Sequence, residues 1–252
     1  MPNRNSLEKT YLYDGTWDGF LSLFFYLYAN KEKPKAIMPK EKYESNFLDI
    51  VQSHETNERQ AERVFHGIER NISYNALYNS YYAFLAEEAE KEMDLVKYLS
   101  FGFQKGPQID TMLSIPYVFH VHQMRKKSLS ECHKLKGLVR FKELDSSLYY
   151  SSIHPTHNIL EPLGHHFIRR LPTQNFIIHD KVRNKAFLYN ALEYRIVENI
   201  TFPEMTLSEA ELQYEALWKT FFQTIAIKER TNPRLQMQYM PKKYWQDLIE
   251  KS

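Results

Sequence analysis

Histidine is concentrated in one part of this 252-residue chain, and its spacing there suggests several kinds of chemistry. Six of the ten histidines lie between His133 and His179. His154 and His157 have His-x-x-His spacing, and His179 or Asp180 would add a further imidazole or carboxylate ligand for a transition metal. The chain has no HExxH motif and no cysteine pair, so we predict no metal site.

The same region allows two other interpretations of its histidines. They can be hydrogen-bonded rim and capping residues, or they can contact phosphates and bases beside Arg169 and Arg170. If the protein is catalytic, His157, His166 and Asp180 are the candidates for proton transfer, because imidazole and carboxylate groups are common general acids and bases. Asp180 also follows an apolar strand, where the role of a hairpin turn residue is favoured.

Motifs for other reactions are missing from the sequence. It contains no G-x-S-x-G elbow, which argues against nucleophilic catalysis of the hydrolase type. It contains neither a G-x-x-x-x-G-K-[ST] loop nor a G-x-G-x-x-G turn. We therefore predict no ATP dependence and no cofactor, and whether the protein is an enzyme stays open.

Positive charge is clustered although the net charge is only +2. Residues 125–142 contain seven basic side chains and one acidic side chain, Glu131, and residues 219–243 contain six basic side chains and only Glu229. Lys134 and Lys136 are also placed to complement a helix dipole. With interleaved aromatic residues, the clusters favour binding of phosphates and unstacked bases, provided that they converge in space. The predicted nucleic-acid-binding residues are Arg125, Lys126, Arg140, Asn158, Arg169, Arg170, Arg183, Lys228, Arg230, Asn232, Arg234 and Lys243.

The elements that position these residues form a predicted β-β-α-β-β unit. Residues 138–142 and 148–153 alternate as a first hairpin, and residues 176–179 and 185–189 as a second. Between the hairpins, a stripe at helical spacing predicts a helix that packs on the sheet while the neighbouring histidines and arginines fall elsewhere. The stripe consists of Leu160, Leu163, Phe167 and Leu171.

The N-terminal half is predicted to be mainly helical. A strand at 11–13 precedes a helix that Thr16 caps and that ends near residue 29, residues 31–42 form a loop, and three helices follow between 58 and 106. Ser73 is the expected N-cap of the middle one. The acidic stretch 87–94 is expected to be a solvated outer face. A further helix runs from 116 to about 136, where Gly137 is expected to take the left-handed capping conformation.

After the central unit, residues 193–197 predict a fifth strand and a C-terminal helix follows. Ser208 and Glu211 have capping-box spacing, and Leu207 with Leu212 has the spacing of a hydrophobic staple. The apolar stripe of this helix is predicted to continue through Leu217, Trp218, Phe221 and Ile225. The sequence therefore predicts one α+β domain over 1–252, with a mainly helical part at 1–136, the core at 137–200, and a C-terminal helix with a basic tail at 201–252.

Composition fits a globular protein of the cytoplasm. The chain is 43% hydrophobic, and its single cysteine, Cys132, excludes an intrachain disulfide, as is usual in a reducing compartment. The apolar run at 20–29 is too short to span a bilayer and lacks a preceding positive region, so we expect no membrane anchor and no signal peptide. The oligomeric state is not predicted.

Several longer stretches carry a family resemblance. They are YLYDGTWDGFL, GLVRF, HNILEPLGHHFIRRLP, FIIHDKVR and TIAIKERTNPRLQMQYMPKKYW. Together, from Tyr11 to about Trp245, they resemble a bacterial family of unknown activity that is labelled putative DNA metabolism or DNA repair protein. Members often sit beside a radical-SAM protein, and some continue into a uracil-DNA-glycosylase-like domain. The resemblance implies a role in recognising or processing modified DNA, with DNA and a radical-SAM protein as partners.

The resemblance also implies which side chains matter. One cysteine cannot hold a radical-SAM cluster, so that chemistry would belong to the partner. Phe176 stands where the family has tryptophan, and Lys181 and Arg183 are more often adjacent in the family. The matching residues are His157, Asn158, His166, Arg169, Arg170, Asp180, Lys181, Arg183, Lys228, Arg230, Asn232, Gln236, Pro241, Lys243 and Trp245.

We therefore expect a protein of DNA metabolism or repair that binds nucleic acid through a basic, histidine-rich face and acts with a radical-SAM partner. One alternative is a non-catalytic adaptor for that partner, whose surface should be richer in exposed aromatic residues than in arginines spaced for phosphates. A second alternative is a lesion-processing hydrolase or glycosylase. It would require the histidines and Asp180 to line one closed pocket.

Overall fold

The chain divides at residue 128 into an N-terminal unit, Met1–Ser128, and a C-terminal unit, Leu129–Ser252. A computed structural model describes residues 9–45, 49–144, 147–200, 207–224 and 232–251. Both units combine helices with a sheet, so the α+β class is confirmed. The single-domain organisation stays a prediction. No helix in these ranges is long and apolar enough to cross a membrane.

A three-stranded parallel sheet forms the centre of the N-terminal unit, in the order β2-β1-β3. Its strands are β1 (Thr10–Tyr13), β2 (Ala36–Pro39) and β3 (Val51–Ser53). Helix α1, Trp17–Asn30, follows β1 and is capped by the Thr16 side chain, which confirms this predicted strand and helix. The loop predicted at 31–42 is wrong, because this stretch contains β2. Ile37 in this strand is buried. The pairing of β2 with β1 joins residues that are distant in the sequence, so local composition does not predict it.

Helices enclose this sheet. The three helices predicted between 58 and 106 are confirmed as α2 (Glu58–Asn71), α3 (Tyr74–Phe84) and α4 (Lys91–Lys105). The Ser73 hydroxyl accepts a hydrogen bond from the Ala76 amide and caps α3, as predicted. The solvated face expected at 87–94 is wrong at Glu92, which is 5% exposed and accepts a hydrogen bond from the Tyr13 hydroxyl.

Helix α5, Pro116–Leu138, continues further than the sequence predicts. The strand predicted at 138–142 is therefore wrong except at its last residue, because the observed strand is Lys142–Leu144. Gly137 lies inside the helix instead of taking a left-handed capping conformation. The helix continues because Leu135 and Leu138 lie at helical spacing and both pack in the core of the C-terminal unit.

The C-terminal unit is built on a five-stranded mixed sheet in the order β4-β5-β6-β7-β8. Strands β5 and β6 are parallel, and the other neighbours are antiparallel. Helix α6, Leu160–Arg170, supplies the crossover that a parallel pair requires. The strands are β4 (Lys142–Leu144), β5 (Leu148–Ile153), β6 (Asn175–Asp180), β7 (Lys185–Asn190) and β8 (Tyr194–Glu198).

Helix α6 lies close against the sheet. The predicted stripe is confirmed, since Leu160, Leu163 and Phe167 are buried in the core. At Gly164 the approach is so close that an added Cβ would lie 2.4 Å from the Phe187 ring. This contact fixes the height of α6 over the sheet and therefore the position of the side chains on its outer face.

Two helices follow the sheet, α7 (Glu209–Thr224) and α8 (Pro233–Tyr239). The Ser208 hydroxyl accepts a hydrogen bond from the Glu211 amide, which confirms one half of the predicted capping box. The other half is wrong, because the Glu211 carboxylate accepts from the Glu143 amide of β4 instead. The predicted staple is also wrong, since Leu212 is 56% exposed. The predicted stripe is wrong at Leu217, which is 66% exposed, whereas Trp218 is half-buried. The Phe221 side chain and Ile225 lie outside what the structure describes.

Candidate nucleic-acid interface

A group of basic side chains on α6 and at the end of α5 forms what we call the cationic patch, defined as Lys136, His166, Arg169 and Arg170. Both arginines occupy the last turn of α6 and are exposed. Burial lowers the pKa of His166, and the positive charges of Lys136, Arg169 and Arg170 lower it further. The three cations are therefore near enough to His166 to affect its titration. The lowered pKa favours the uncharged imidazole, so the patch combines three positive charges with a mainly neutral His166.

No carboxylate in the described part of the chain forms an ion pair with Lys136, Arg169 or Arg170. The carbonyl end of α6 favours positive charge here, which explains part of the placement of the two arginines. A helix dipole does not use the hydrogen-bond donors of a guanidinium group, however. The donors of both arginines remain available to an external acceptor such as a phosphate.

Other predicted residues belong to a buried network around Glu131, which is on α5. One carboxylate oxygen of Glu131 accepts from the Thr156 amide at 3.0 Å, from the Tyr244 hydroxyl at 2.6 Å and from the Lys243 ammonium group. The other oxygen accepts from the His157 amide at 2.7 Å. Burial by itself would raise the pKa of Glu131, but these donors lower it to about 2. The charge of Lys243, whose side chain is 41% exposed, is thereby paired with a buried carboxylate.

Asp180 and Arg183 form a second paired group at the turn between β6 and β7. Asp180 is fully buried, and one of its oxygens accepts from the amides of Val182 and Arg183 at 2.9 and 3.2 Å. The other oxygen accepts from the Arg183 guanidinium group at 3.0 Å. Arg183 also donates to the Thr156 carbonyl. Asp180 thus serves the turn, and its part in proton transfer stays a prediction.

The remaining predicted residues are dispersed. Arg140 pairs with Glu250 at 2.8 Å, and Asn158 is half-buried at the start of α6. The Asn232 side chain caps α8 by accepting from the Leu235 amide, and Arg234 is exposed in the first turn of that helix. Arg125 and Lys126 belong to the part of α5 assigned to the N-terminal unit. Lys228 and Arg230 lie outside the described residues.

Other histidines within residues 137–200 have partners in the protein. The Nδ1 atom of His154 lies 3.0 Å from Asp247, and that of His179 lies 2.9 Å from the Tyr150 hydroxyl. Within the ranges that the structure describes, no group of three histidine, cysteine, aspartate or glutamate side chains is arranged to hold a metal ion.

Two residues that matter to these arrangements are absent from the predicted site. Lys136 belongs to the cationic patch, although its position near the end of α5 is equally explained by the helix dipole. Glu131 organises the paired network. Its signal in the sequence is that it is the single carboxylate within the cationic stretch 125–142.

Comparison with known proteins identifies a family. No curated protein and no solved structure matches the chain. A family model, described as a domain of unknown function and designated DUF4130, matches residues 89–250, which is more than half of the chain. That match takes in α6, the five-stranded sheet and every residue of the cationic patch. The chain therefore belongs to the DUF4130 family.

Proposed function

We propose that this protein binds nucleic acid through the cationic patch and acts in DNA metabolism or repair. The observation that supports the proposal most directly is that Arg169 and Arg170 are exposed, lie with Lys136 near His166, and have no carboxylate partner among the residues described. Phosphate oxygens are the acceptors that such groups bind in most protein–DNA contacts.

Each member of the patch has a physical role in the proposal. The arginines present planar forks that bind phosphate oxygens in pairs, and Lys136 adds a point charge. Neutral His166 retains one donor and one acceptor nitrogen and an aromatic face, which suit contact with a base or sugar. The patch positions a nucleic-acid backbone, and phosphate contacts of this kind carry no sequence information directly.

The proposal includes a radical-SAM protein as partner, on the strength of the sequence resemblance. Cys132 is the single cysteine, and it is buried in the core at 1% exposure. Iron–sulfur clusters of that class require several thiolates, so any radical chemistry would take place on the partner. In this scheme the present chain contributes the DNA contact.

The test is binding to labelled single- and double-stranded DNA over a series of salt concentrations. We expect the Arg169→Ala/Arg170→Ala variant to bind more weakly and to lower the slope of log affinity against log salt for duplex DNA by about two, since each phosphate contact contributes about 0.9. An Arg59→Ala/Arg195→Ala variant is the matched control. It removes the same charge from two exposed arginines outside the patch.

Two results would overturn the proposal. If the unsubstituted protein binds neither form of DNA at low salt, direct nucleic-acid binding is wrong. If it binds but the two double variants have the same affinity and slope, the DNA contact lies outside the cationic patch. If only the patch variant has a lower salt slope, the proposal is supported. The next measurement is then binding to DNA that contains modified or damaged bases.

A further inference from the structure

A second surface of the C-terminal unit has the opposite chemistry to that of the cationic patch. A cleft of about 660 Å³ lies between β4, β5 and α7. This volume is within the usual range for sites that bind small molecules. Aromatic rings from these elements and from the segment just before β4 line the cleft, namely Phe141, Tyr149, Tyr214 and Trp218.

Two carboxylates also line the cleft, Glu143 of β4 and Glu211 of α7. Glu211 is 8% exposed, and one of its oxygens accepts from the Glu143 amide at 3.0 Å, which fixes its orientation. The Glu143 carboxylate forms neither a hydrogen bond nor an ion pair with any side chain that the structure describes. It is half-buried and retains its capacity to accept hydrogen bonds.

The one cation at the wall of the cleft is already neutralised, as far as the described residues show. Arg140 donates to both oxygens of Glu250, at 2.8 and 3.4 Å, and Glu250 is 1% exposed. The indole nitrogen of Trp218 donates to the same carboxylate at 3.2 Å. Arg140 and Glu250 cancel, so the charges of Glu143 and Glu211 leave the cleft negative.

We propose that this cleft binds an organic cation of the guanidinium class. The faces of aromatic rings attract cations, and carboxylates accept the parallel N–H bonds of a guanidinium group. Glu143 supplies the open acceptor, while Tyr149 and Tyr214 supply the rings, since the Trp218 ring already lies 6.0 Å from the Arg140 guanidinium group. Phosphate groups are repelled by the same carboxylates, so this site is distinct from the cationic patch and does not depend on it. The guanidinium group belongs either to a free small molecule or to an arginine side chain of a polypeptide.

The experiment is calorimetric titration of the purified chain with N-acetylarginine amide and with N-acetylcitrulline amide. The two probes have nearly the same shape, but citrulline is neutral. We expect saturable binding of the arginine probe. The affinity for the citrulline probe should be lower by about tenfold or more, because a hydrogen bond to a charged group is lost. Equal affinity for both probes, or no saturable binding of the arginine probe, would overturn the proposal.

Variants locate the site. Glu143→Gln should weaken binding of the arginine probe about tenfold, since it removes the open charge and keeps the shape. Glu193→Gln, at an exposed glutamate of the same unit, is the matched control and should bind as the unsubstituted chain does. If both variants bind alike, the site is not this cleft. Arg169→Ala/Arg170→Ala should leave the arginine probe unaffected, which separates this result from any failure of DNA binding.

A short peptide with one central arginine distinguishes the sources of the cation. Tighter binding of the peptide than of N-acetylarginine amide would support an arginine of a polypeptide as the ligand. Equal affinity would support a free guanidinium compound. In both cases Glu143→Gln must weaken the interaction.

Discussion

Two pairs of basic residues in the C-terminal unit differ in their partners. Arg183 and Lys243 each donate a hydrogen bond to a buried carboxylate. Both also donate to Thr156, so they connect this segment to the rest of the unit. Arg169 and Arg170 end at the surface of α6 without such a carboxylate in the described ranges. Residue type alone therefore does not define a phosphate-binding group, because a paired cation already has its anion.

The two groups should differ in what their removal costs. Removing one partner of a buried pair leaves an uncompensated charge or unpaired donors, whereas an exposed cation is screened by solvent. Stability measurements therefore test whether Arg183 and Lys243 are structural, and DNA-binding measurements test whether Arg169 and Arg170 contact phosphates.

The largest effect is expected for Glu131→Ala. Four donors would lose a buried acceptor, and we expect a loss of about 3–5 kcal/mol in the free energy of unfolding. Urea denaturation measures this loss. Glu193→Ala, at an exposed position, is the control and should change stability by less than about 0.5 kcal/mol. Similar losses for both variants would contradict the role of Glu131 as the centre of the network.

The same network predicts how stability depends on pH. The pKa of Glu131 is about 2 in the folded protein against an ordinary value of 4.5, so the unfolded chain takes up the proton first as pH falls. The contribution of Glu131 is present above pH 4.5 and is lost between about pH 4.5 and 2. Denaturation midpoints measured across this window should fall less steeply for Glu131→Gln, which has no such proton to bind. Parallel curves for the two proteins would exclude Glu131 as the source.

A smaller loss is expected for Arg183→Ala. The substitution leaves Asp180 buried with only its two turn amides as partners, and we expect a cost of about 2–3 kcal/mol by urea denaturation. Affinity for DNA should be unchanged, provided that the variant is assayed where it is folded. A normal stability combined with weaker DNA binding would place Arg183 in the same class as Arg169 and would end the distinction between the two groups.

The packing of α6 tests how strongly the patch depends on its position. Gly164→Ala forces a Cβ into the Phe187 ring, and we expect a cost of about 1–3 kcal/mol from overpacking. Gly137→Ala is the matched control, because nothing lies within 4 Å of its added Cβ. In the interior of α5 it should stabilise the protein by about 0.5–1 kcal/mol. Thermal unfolding of both variants measures the sign of each stability change. Equal shifts in the unfolding temperature would show that the contact with Phe187 does not determine how closely α6 packs on the sheet.

The smallest effect on stability is expected for Arg169→Ala, within about 0.5 kcal/mol of the unsubstituted protein in urea denaturation. A larger loss would mean that this arginine has a partner in the folded protein, and the patch would then be a structural group like the network around Glu131.

Local features of the fold could be predicted well from the sequence. The bounds of β5, the apolar stripe of α6 and the cap at Ser73 follow from alternation, helical spacing and a capping side chain, which are properties of neighbouring residues. Strand β2 was not predictable in this way. Its three apolar residues stand among lysines, and only the parallel pairing with β1 makes them a strand.

The candidate site shows the same limit. The amino-acid sequence by itself determined that cations cluster near α6 and the C-terminal segment, and that Glu131 stands alone among cations in residues 125–142. Only the tertiary structure decided which cations meet an anion, because Lys243 lies 112 positions from Glu131, and Arg140 lies 110 positions from Glu250. Ion pairs depend on distance in space and on burial, and neither quantity is encoded in the local spacing of residues.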